Sequence, residues 1–378
     1  MRQLQANINL PNTWRFLVHL FDYQGHIRRF SKRPAVDAVF VSNMRDETDV
    51  KNYLCNIFPP EGHFNGPLYY LNKTIGRTRS INSITEELLS SKGRKEAKDR
   101  FISATRWAEK NGAKVVLLAA STKRLFGEDG GTLKELFPNM LFTIGDNGTM
   151  HLLTTETLQA LQKSGLTPQN SRIAVLAPYG LLGSFITKSL VAQGFNIIGA
   201  GNNILGLQNM AKQYNIEICQ EFSEMGTVDA VIACTHSNKI RLNFENIELI
   251  RKKDRKLLVV DVAEPSNLTK EEHGKCNGNV VRQDAGNAYS PNLKYVLGAV
   301  SYKMFRLSQG VTFGCFAETL SLASALNRGE HHIKERDWFT VSNDNMAVVE
   351  SLFQKEGFTV PSPRCFGKEV RSFDLSIQ

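Results

Sequence analysis

Cys315 lies at the start of a predicted helix, where a thiol could act as a nucleophile. The run from Val311 to Leu320 reads as a first helical turn with Thr312 as its N-cap, and Asn327-Arg328-Gly329 would end the helix. Unpaired N–H groups and the helix dipole favour negative charge here, so the position predicts a lowered thiol pKa and covalent catalysis. A buried, inert cysteine is the alternative that this spacing leaves open.

Three further polar residues could take part in chemistry. Glu318, three residues after Cys315, could orient the thiol or cap its own helix. His236 follows a predicted strand and could be an acid, a base or a cofactor contact, or could simply lie in solvent. Asp261, at the end of another predicted strand, could contact a substrate or form a turn.

The cysteines give no sign of a metal site. They are scattered at positions 55, 219, 234, 276, 315 and 365, without a Cys-x-x-Cys pair. This pattern argues against a zinc site and a disulfide scaffold, and it favours a reducing, cytoplasmic location.

A second constellation is a nucleotide-binding loop. Residues 172–201 read as strand, turn, helix and strand, and a pyrophosphate could rest at the turn, on the helix N-terminus. Ala177 takes the place of the first loop glycine, which is acceptable if its φ stays negative, and Pro178 removes one donor N–H. The predicted cofactor contacts are Ala177, Tyr179, Gly180, Leu181, Leu182, Gly183, Asn202, Asn203 and Thr235.

The end of the second strand of this unit favours NADPH. An acidic residue that would hold a ribose 2′-OH is missing there, whereas Asn202 and Asn203 could hydrogen-bond a 2′-phosphate. NADH remains an open alternative, because an arginine for the 2′-phosphate is missing as well.

The elements that must position these residues predict an α/β protein. Short apolar runs alternate with helical stretches, which is typical of a Rossmann-type, doubly wound parallel sheet, here with a second α/β substrate domain. The predicted strands are 16–20, 38–41, 68–71, 114–120, 172–177, 195–201, 228–235, 256–263 and 279–282, and the predicted helices include 93–111 and 153–164. The expected domains are a substrate (acyl-thioester) domain over 1–155, a dinucleotide-binding domain over 156–310, and a C-terminal helical segment over 311–378 that carries the cysteine and packs back between the domains.

Composition limits the class of protein. The 378 residues suffice for two domains, and the sequence contains neither a bilayer-spanning apolar run nor a signal peptide. Most of the net charge of +9 lies in residues 1–155, with a dense run at 91–100. That run could be a solvated helix face or could dock an acidic carrier; nucleic acid is not expected, because no binding motif accompanies it.

The motif around the cysteine resembles a known family. Phe313-Gly314-Cys315-Phe316-Ala317-Glu318 is very similar to the Phe-Ala-Cys-Phe-Ala-Glu of the cyanobacterial long-chain acyl-(acyl-carrier-protein) reductases, and the segments at 142–149 and 257–268 are similar to theirs as well. More weakly, the run 261–265 resembles the Asp-Ile-Ala-x-Pro strand signature of glutamyl-tRNA reductases.

The resemblance implies a reaction. Cys315 would attack the thioester of an acyl-carrier protein or acyl-coenzyme A, and NADPH would reduce the acyl-enzyme to an aldehyde. The matching segments imply substrate contacts at Thr143, Gly145, Thr149 and Asp261. This chain departs from the family pattern at Gly148, where the family has histidine, and at Gly201, where it has arginine. The alternatives are an oxidoreductase of shikimate-dehydrogenase type with a structural Cys315, and a non-catalytic nucleotide-binding or carrier-docking protein.

Overall fold

The structure, a computed structural model, describes residues 10–53, 62–127, 130–304 and 307–377. Its α-helices are α1 Leu10–Leu20, α2 Tyr23–Phe30, α3 Glu47–Tyr53, α4 Ser91–Lys110, α5 Gly131–Leu136, α6 Asp146–Lys163, α7 Leu181–Ala192, α8 Ile204–Tyr214, α9 Phe222–Met225, α10 Phe244–Ile250, α11 Lys270–Lys275, α12 Ala299–Met304, α13 Gly314–Asn327 and α14 Asn343–Glu356. Its strands are β1 Ala38–Met44, β2 His63–Leu71, β3 Thr74–Ile84, β4 Val115–Leu118, β5 Leu141–Thr143, β6 Arg172–Leu176, β7 Asn196–Ala200, β8 Glu217–Cys219, β9 Ala230–Ala233, β10 Leu257–Asp261, β11 Val280–Asp284, β12 Asn287–Tyr289, β13 Leu293–Tyr295, β14 Val311–Phe313, β15 Arg364–Cys365 and β16 Lys368–Glu369.

The chain forms two compact units. The first comprises Met1–Thr149 and Ala288–Thr359, and the second comprises Met150–Asn287 and Val360–Gln378. The α/β class is confirmed, but residues 288–310 belong to the first unit and not to the dinucleotide-binding domain that was expected to include them. The reason is that β13 pairs antiparallel with β2 of the first sheet. The C-terminal segment is itself divided, because residues 360–378 belong to the second unit.

The first unit has a mixed sheet in the order β13-β2-β3-β1-β4-β5. Strands β3, β1, β4 and β5 run parallel to one another, so their carboxyl ends meet at one edge. Helix α13 packs closely on this sheet: a Cβ added to Gly76 of β3 would lie 2.6 Å from Leu320 Cδ2. Phe316 stacks on Phe40 of β1 with ring centroids 4.3 Å apart. The helix that carries Cys315 is therefore fixed on the sheet by its apolar side chains.

The second unit has a parallel sheet in the order β11-β10-β9-β6-β7-β8. This is the strand order of a Rossmann fold, which confirms the predicted doubly wound sheet. The order reverses between β6 and β9, and ligands of such sheets bind outside the carboxyl ends of the strands at that point.

Two predictions about secondary structure need correction. Residues 16–20, expected as a strand, lie within α1, because Trp14 and Val18, four residues apart, are the buried positions there and Leu20 is exposed. The helix expected over 153–164 already begins at Asp146. Within the described residues, no helix is both long enough and apolar enough to cross a membrane.

Candidate functional site

Cys315 occupies the first turn of α13, but the N-cap is Phe313 and not the expected Thr312. Strand β14 continues through Phe313, so the extended backbone lasts one residue longer and Thr312 is buried within that strand. Residue Cys315 is partly exposed, and its backbone carbonyl oxygen accepts a hydrogen bond from Thr319 Oγ1 at 2.7 Å.

The Cys315 thiol does not have the lowered pKa that its position predicts. Burial raises its pKa to about 12, although the charge of Lys123 and the N–H of Phe316 act in the opposite direction. Asp146 and Glu318 raise the pKa further. Desolvation of the sulfur therefore outweighs the helix terminus, and the thiol is protonated at neutral pH.

Lys123 is a functional candidate that the sequence argument did not single out. It lies in the 3₁₀-helix Ala120–Arg124 that follows β4, and its Nζ donates a hydrogen bond to the Asp146 carboxylate. Asp146 begins α6, just after β5. Because β4 and β5 are parallel neighbours, the segments after their carboxyl ends bring the two residues together. The sequence feature that could have indicated Lys123 is its position just after a predicted buried strand.

The charges around Lys123 keep it protonated. Burial lowers its pKa, but the charge of Asp146, together with Cys315 and Glu318 when these are ionised, outweighs burial and raises the pKa above the ordinary value. An ammonium group next to the thiol favours the thiolate over the neutral form, and it can also stabilise negative charge that develops on a bound carbonyl oxygen.

Glu318 is completely buried and accepts two hydrogen bonds. Thr143 Oγ1 donates to its Oε1 at 2.5 Å, and the Gly148 N–H donates to its Oε2 at 2.6 Å. Burial raises the pKa of Glu318 to about 7, against these two hydrogen bonds and the Lys123 charge. It therefore does not cap its own helix; it is a carboxyl group that can exchange a proton near neutral pH.

Two glycines allow the chain to approach α13 closely. Gly145 has φ +71°, and a Cβ there would lie 2.3 Å from Cys315 Cβ. A Cβ on Gly148 would lie 2.7 Å from the Gly314 carbonyl oxygen and 2.9 Å from Glu318 Cβ. The histidine of the acyl-(acyl-carrier-protein) reductases would not fit at this position, which gives the departure at Gly148 a steric reason.

The threonines of the same segment hold its backbone. Thr143 Oγ1 also accepts the Gly145 N–H at 2.9 Å, and Thr149 Oγ1 donates to the Gly145 carbonyl at 3.2 Å. Of the expected substrate contacts, Thr143, Gly145 and Thr149 therefore lie together beside Cys315 in the first unit, whereas Asp261 belongs to the second.

Asp261 is part of a buried ion pair. Arg282 Nη2 donates to it at 2.9 Å, and the N–H groups of Ala263, Asn267 and Leu268 donate as well. These bonds shape the turn after β10, so the turn-forming interpretation is the one that the geometry supports. His236 is exposed and follows β9 in the second unit, whereas Cys315 and Glu318 belong to the first. Thr235 also follows β9; its carbonyl accepts Asn267 Nδ2 at 2.7 Å.

The nucleotide loop of the second unit connects β6 to α7. Ala177 has φ +58°, so the condition of a negative φ is not met, and the backbone takes a left-handed conformation that costs a non-glycine residue about 1–2 kcal/mol. Its N–H donates to the Ala200 carbonyl at 2.7 Å, and its own carbonyl accepts the Gly180 N–H at 3.0 Å. A Cβ on Gly183 would lie 2.1 Å from the Ala177 carbonyl oxygen.

This loop fits the pyrophosphate of a dinucleotide. Gly180 is the N-cap of α7, and the helix begins at Leu181 and Leu182, where unpaired N–H groups are available for phosphate oxygens. Gly183 lets the loop pack tightly on the helix.

The end of β7 differs from expectation. Asn203 Oδ1 accepts the Gly206 N–H at 3.1 Å and so caps α8, and Asn202 Oδ1 accepts the Tyr179 hydroxyl at 2.8 Å. Both side-chain oxygens are therefore engaged within the chain, whereas a 2′-phosphate, which only accepts, would be bound through the amide Nδ2 groups.

The match to a known family lies within the second unit. Residues 160–284 match the family model described as shikimate / quinate 5-dehydrogenase, which is less than half of the chain. No curated protein matches the sequence.

Several solved structures are similar in part. The nucleotide-binding domain of glutamyl-tRNA reductase from Thermoplasma volcanium has 17% identity over 34% of this chain and 84% of that chain, with a TM-score of 0.26. Shikimate 5-dehydrogenase from Thermus thermophilus, in complex with NADP(H) and shikimate, has 13% identity over 57% of this chain and 64% of its own, with a TM-score of 0.27. L-tryptophan dehydrogenase from Nostoc punctiforme has 10% identity over 85% and 89%, with a TM-score of 0.38.

The chain thus spans less than two thirds of the shikimate dehydrogenase. None of these matches confirms the resemblance to acyl-(acyl-carrier-protein) reductases. The family match, which covers the strands of the second sheet, supports a Rossmann-type oxidoreductase that uses NAD(P).

Proposed function

We propose that this protein is an NADP(H)-dependent oxidoreductase that reduces an acyl thioester to an aldehyde through Cys315. The observation that carries the proposal is the group of polar side chains in the first unit. The thiol of Cys315, a partly exposed residue at the start of α13, has an ammonium group, Lys123, and a buried carboxyl group, Glu318, within electrostatic reach.

The chain's own residues would perform the acyl transfer. Cys315 Sγ forms a bond to the thioester carbon, the bond from that carbon to the carrier sulfur breaks, and the carrier leaves as a thiol. NADPH, when bound, supplies the hydride that, with one proton, converts the acyl-cysteine to an aldehyde and the free thiol.

Proton movement follows from the pKa values. The Cys315 thiol is protonated at rest because burial raises its pKa to about 12, so it must lose its proton during the attack. Glu318, whose pKa burial raises to about 7, is the carboxyl group of the site suited to accept that proton and to return it later. Lys123 stays charged and favours the thiolate.

The loop between β6 and α7 would hold the pyrophosphate of the cofactor. NADP(H) is preferred over NAD(H) because the end of β7 offers no carboxylate for a ribose 2′-OH. The shikimate dehydrogenase that resembles this chain was solved with NADP(H), in line with this choice.

An acidic carrier protein would dock on the first unit. The first turns of α4 expose Lys92, Arg94, Lys95 and Lys98, which complement an acidic partner. If so, exchanging Lys92 and Lys95 for glutamate slows acylation by an acyl-carrier protein and leaves acylation by acyl-coenzyme A unchanged.

Trapping the acyl-enzyme tests the reaction. The protein is incubated without reductant with a panel of acyl-coenzyme A and acyl-carrier thioesters, and intact mass is measured. We expect an adduct on Cys315, its absence in Cys315→Ala, and its persistence in the matched control Cys365→Ala, because Cys365 is also partly exposed but lies in the second unit. NADPH should then release an aldehyde. A folded protein that binds NADPH but forms no adduct with any thioester would refute the proposal.

The Lys123–Asp146 ion pair favours a second candidate, a dehydrogenase of hydroxyl substrates in which Cys315 is structural. An ammonium group held by a carboxylate can bind a substrate oxygen and donate a proton to it when hydride reduces a carbonyl to the hydroxyl, without a thiol. Because the family model is one for shikimate and quinate, both are the first substrates to assay. Turnover that survives Cys315→Ala but not Lys123→Met would favour this candidate. Cofactor binding without any turnover would favour a non-catalytic nucleotide-binding protein.

A further inference from the structure

The side chain of Tyr179 lies across the carboxyl end of β7. A Cβ added to Gly201 would lie 2.5 Å from Tyr179 Cε1, and one added to Gly206 would lie 2.8 Å from Tyr179 Cγ. The two glycines, one just after β7 and one in the first turn of α8, therefore leave a space that the tyrosine ring fills.

The Tyr179 hydroxyl fixes the ring in this space. It accepts hydrogen bonds from the N–H groups of Asn202, at 3.1 Å, and Asn203, at 3.2 Å, and it donates to Asn202 Oδ1 at 2.8 Å. One hydroxyl group thus uses three polar groups of the segment that follows β7.

This segment is where a Rossmann-type domain contacts the adenosine half of its cofactor. With the pyrophosphate at the N-terminus of the first helix, the adenosine ribose reaches the end of the second strand, which is β7 here. The polar groups that would meet the ribose or its 2′-phosphate are those now bound to Tyr179. The loop fits the pyrophosphate, whereas the adenosine side is filled from within the chain.

We propose that Tyr179 competes with the adenosine half of the cofactor, so that its hydroxyl sets the affinity of the second unit for NADP(H). The proposal rests on the proposed function, since it requires that this unit bind the cofactor. Binding moves the ring away from Gly201 and frees the N–H groups of Asn202 and Asn203. The nicotinamide half is not affected by this competition.

Calorimetric titration of three ligands tests the proposal: NADPH, the adenosine half 2′,5′-ADP, and reduced nicotinamide mononucleotide. The variants are Tyr179→Phe, which keeps the ring and removes the hydroxyl, and the matched control Tyr214→Phe at the far end of α8. We expect Tyr179→Phe to bind NADPH and 2′,5′-ADP about tenfold more tightly than the wild type, the factor for removing one to two net competing hydrogen bonds. Its affinity for the mononucleotide should not change, and Tyr214→Phe should match the wild type.

Other outcomes separate the inference from the proposed function. If Tyr179→Phe binds 2′,5′-ADP as tightly as the wild type or more weakly, with an unchanged melting temperature, the inference is overturned. Tyr179 then either has no effect on cofactor binding or contacts the cofactor directly, and the proposed function stands. If the melting temperature of Tyr179→Phe falls, the titrations are repeated with Tyr179→His, which keeps a polar ring but has a shorter side chain. The same tighter binding of NADPH and 2′,5′-ADP is expected. Failure of both wild type and variants to bind NADPH overturns the inference and the proposed function together.

Discussion

Replacing Glu318 by glutamine should make the first unit more stable at alkaline pH but not at acidic pH. Folding raises the pKa of this carboxyl group from its ordinary 4.5 to about 7, because it is buried. The folded state therefore keeps a proton that the unfolded chain has lost between these two pH values. The contribution of Glu318 to stability is therefore fully present below pH 4.5 and is lost as pH rises through 7.

The size of the effect follows from the same pKa values. At pH 8 the buried carboxylate costs the folded state about 3 kcal/mol, and at pH 4.5 almost nothing. Glutamine does not titrate, and its oxygen and nitrogen can satisfy the Gly148 N–H and the Thr143 hydroxyl. The stability of Glu318→Gln minus that of the wild type should therefore increase by about 3 kcal/mol from pH 4.5 to pH 8. Titrating groups that do not interact with Glu318 cancel in this difference.

Tryptophan fluorescence during urea unfolding is a suitable assay. The three tryptophans, Trp14, Trp107 and Trp338, all belong to the first unit, so their signal reports this unit alone. Glu330→Gln is the control with the opposite sign, because the hydrogen bond from Arg328 lowers the pKa of Glu330. That variant should lose stability relative to the wild type at pH 8 and recover as pH falls. A Glu318→Gln difference that does not depend on pH would refute the reasoning, and Glu318 could not then act as a base near pH 7.

Two further predictions concern the same site. The rate at which iodoacetamide alkylates Cys315, measured by peptide mass spectrometry, should rise without a plateau up to pH 9, because the pKa of the thiol is raised to about 12. Lys123→Met should slow the alkylation severalfold at pH 8, and Lys123→Arg should slow it much less, since a positive charge at this position lowers the thiol pKa. A plateau below pH 9 contradicts this. Gly145→Ala should destabilise the first unit by more than about 3 kcal/mol in urea, because its Cβ would lie 2.3 Å from Cys315 Cβ, whereas Gly329→Ala, with φ +87° and open space, should cost about 1 kcal/mol. Equal losses of stability in the two variants would mean that the structure accommodates the added Cβ next to Cys315 without strain.

The second unit was largely predictable from the sequence. Buried parallel strands are short continuous apolar runs, so β6, β7, β9, β10 and β11 were recognisable, together with the glycine turn after β6. The first unit was less predictable from the sequence. Its β3, which carries polar residues such as Arg77 and Arg79, lacks an apolar run and was not found, and α1 was mistaken for a strand because aliphatic residues occur on both of its faces.

At the candidate site, the sequence by itself determined what depends on neighbours along the chain: Cys315 in a first helical turn, Glu318 three residues later, and a glycine turn after β6. Only the tertiary structure decided that Lys123 and Asp146 stand beside the thiol, because they come from segments that only the pairing of β4 with β5 brings together. It also decided the direction of the Cys315 pKa. A helix terminus is a local feature, whereas desolvation depends on everything packed around the sulfur, and here desolvation is the larger effect.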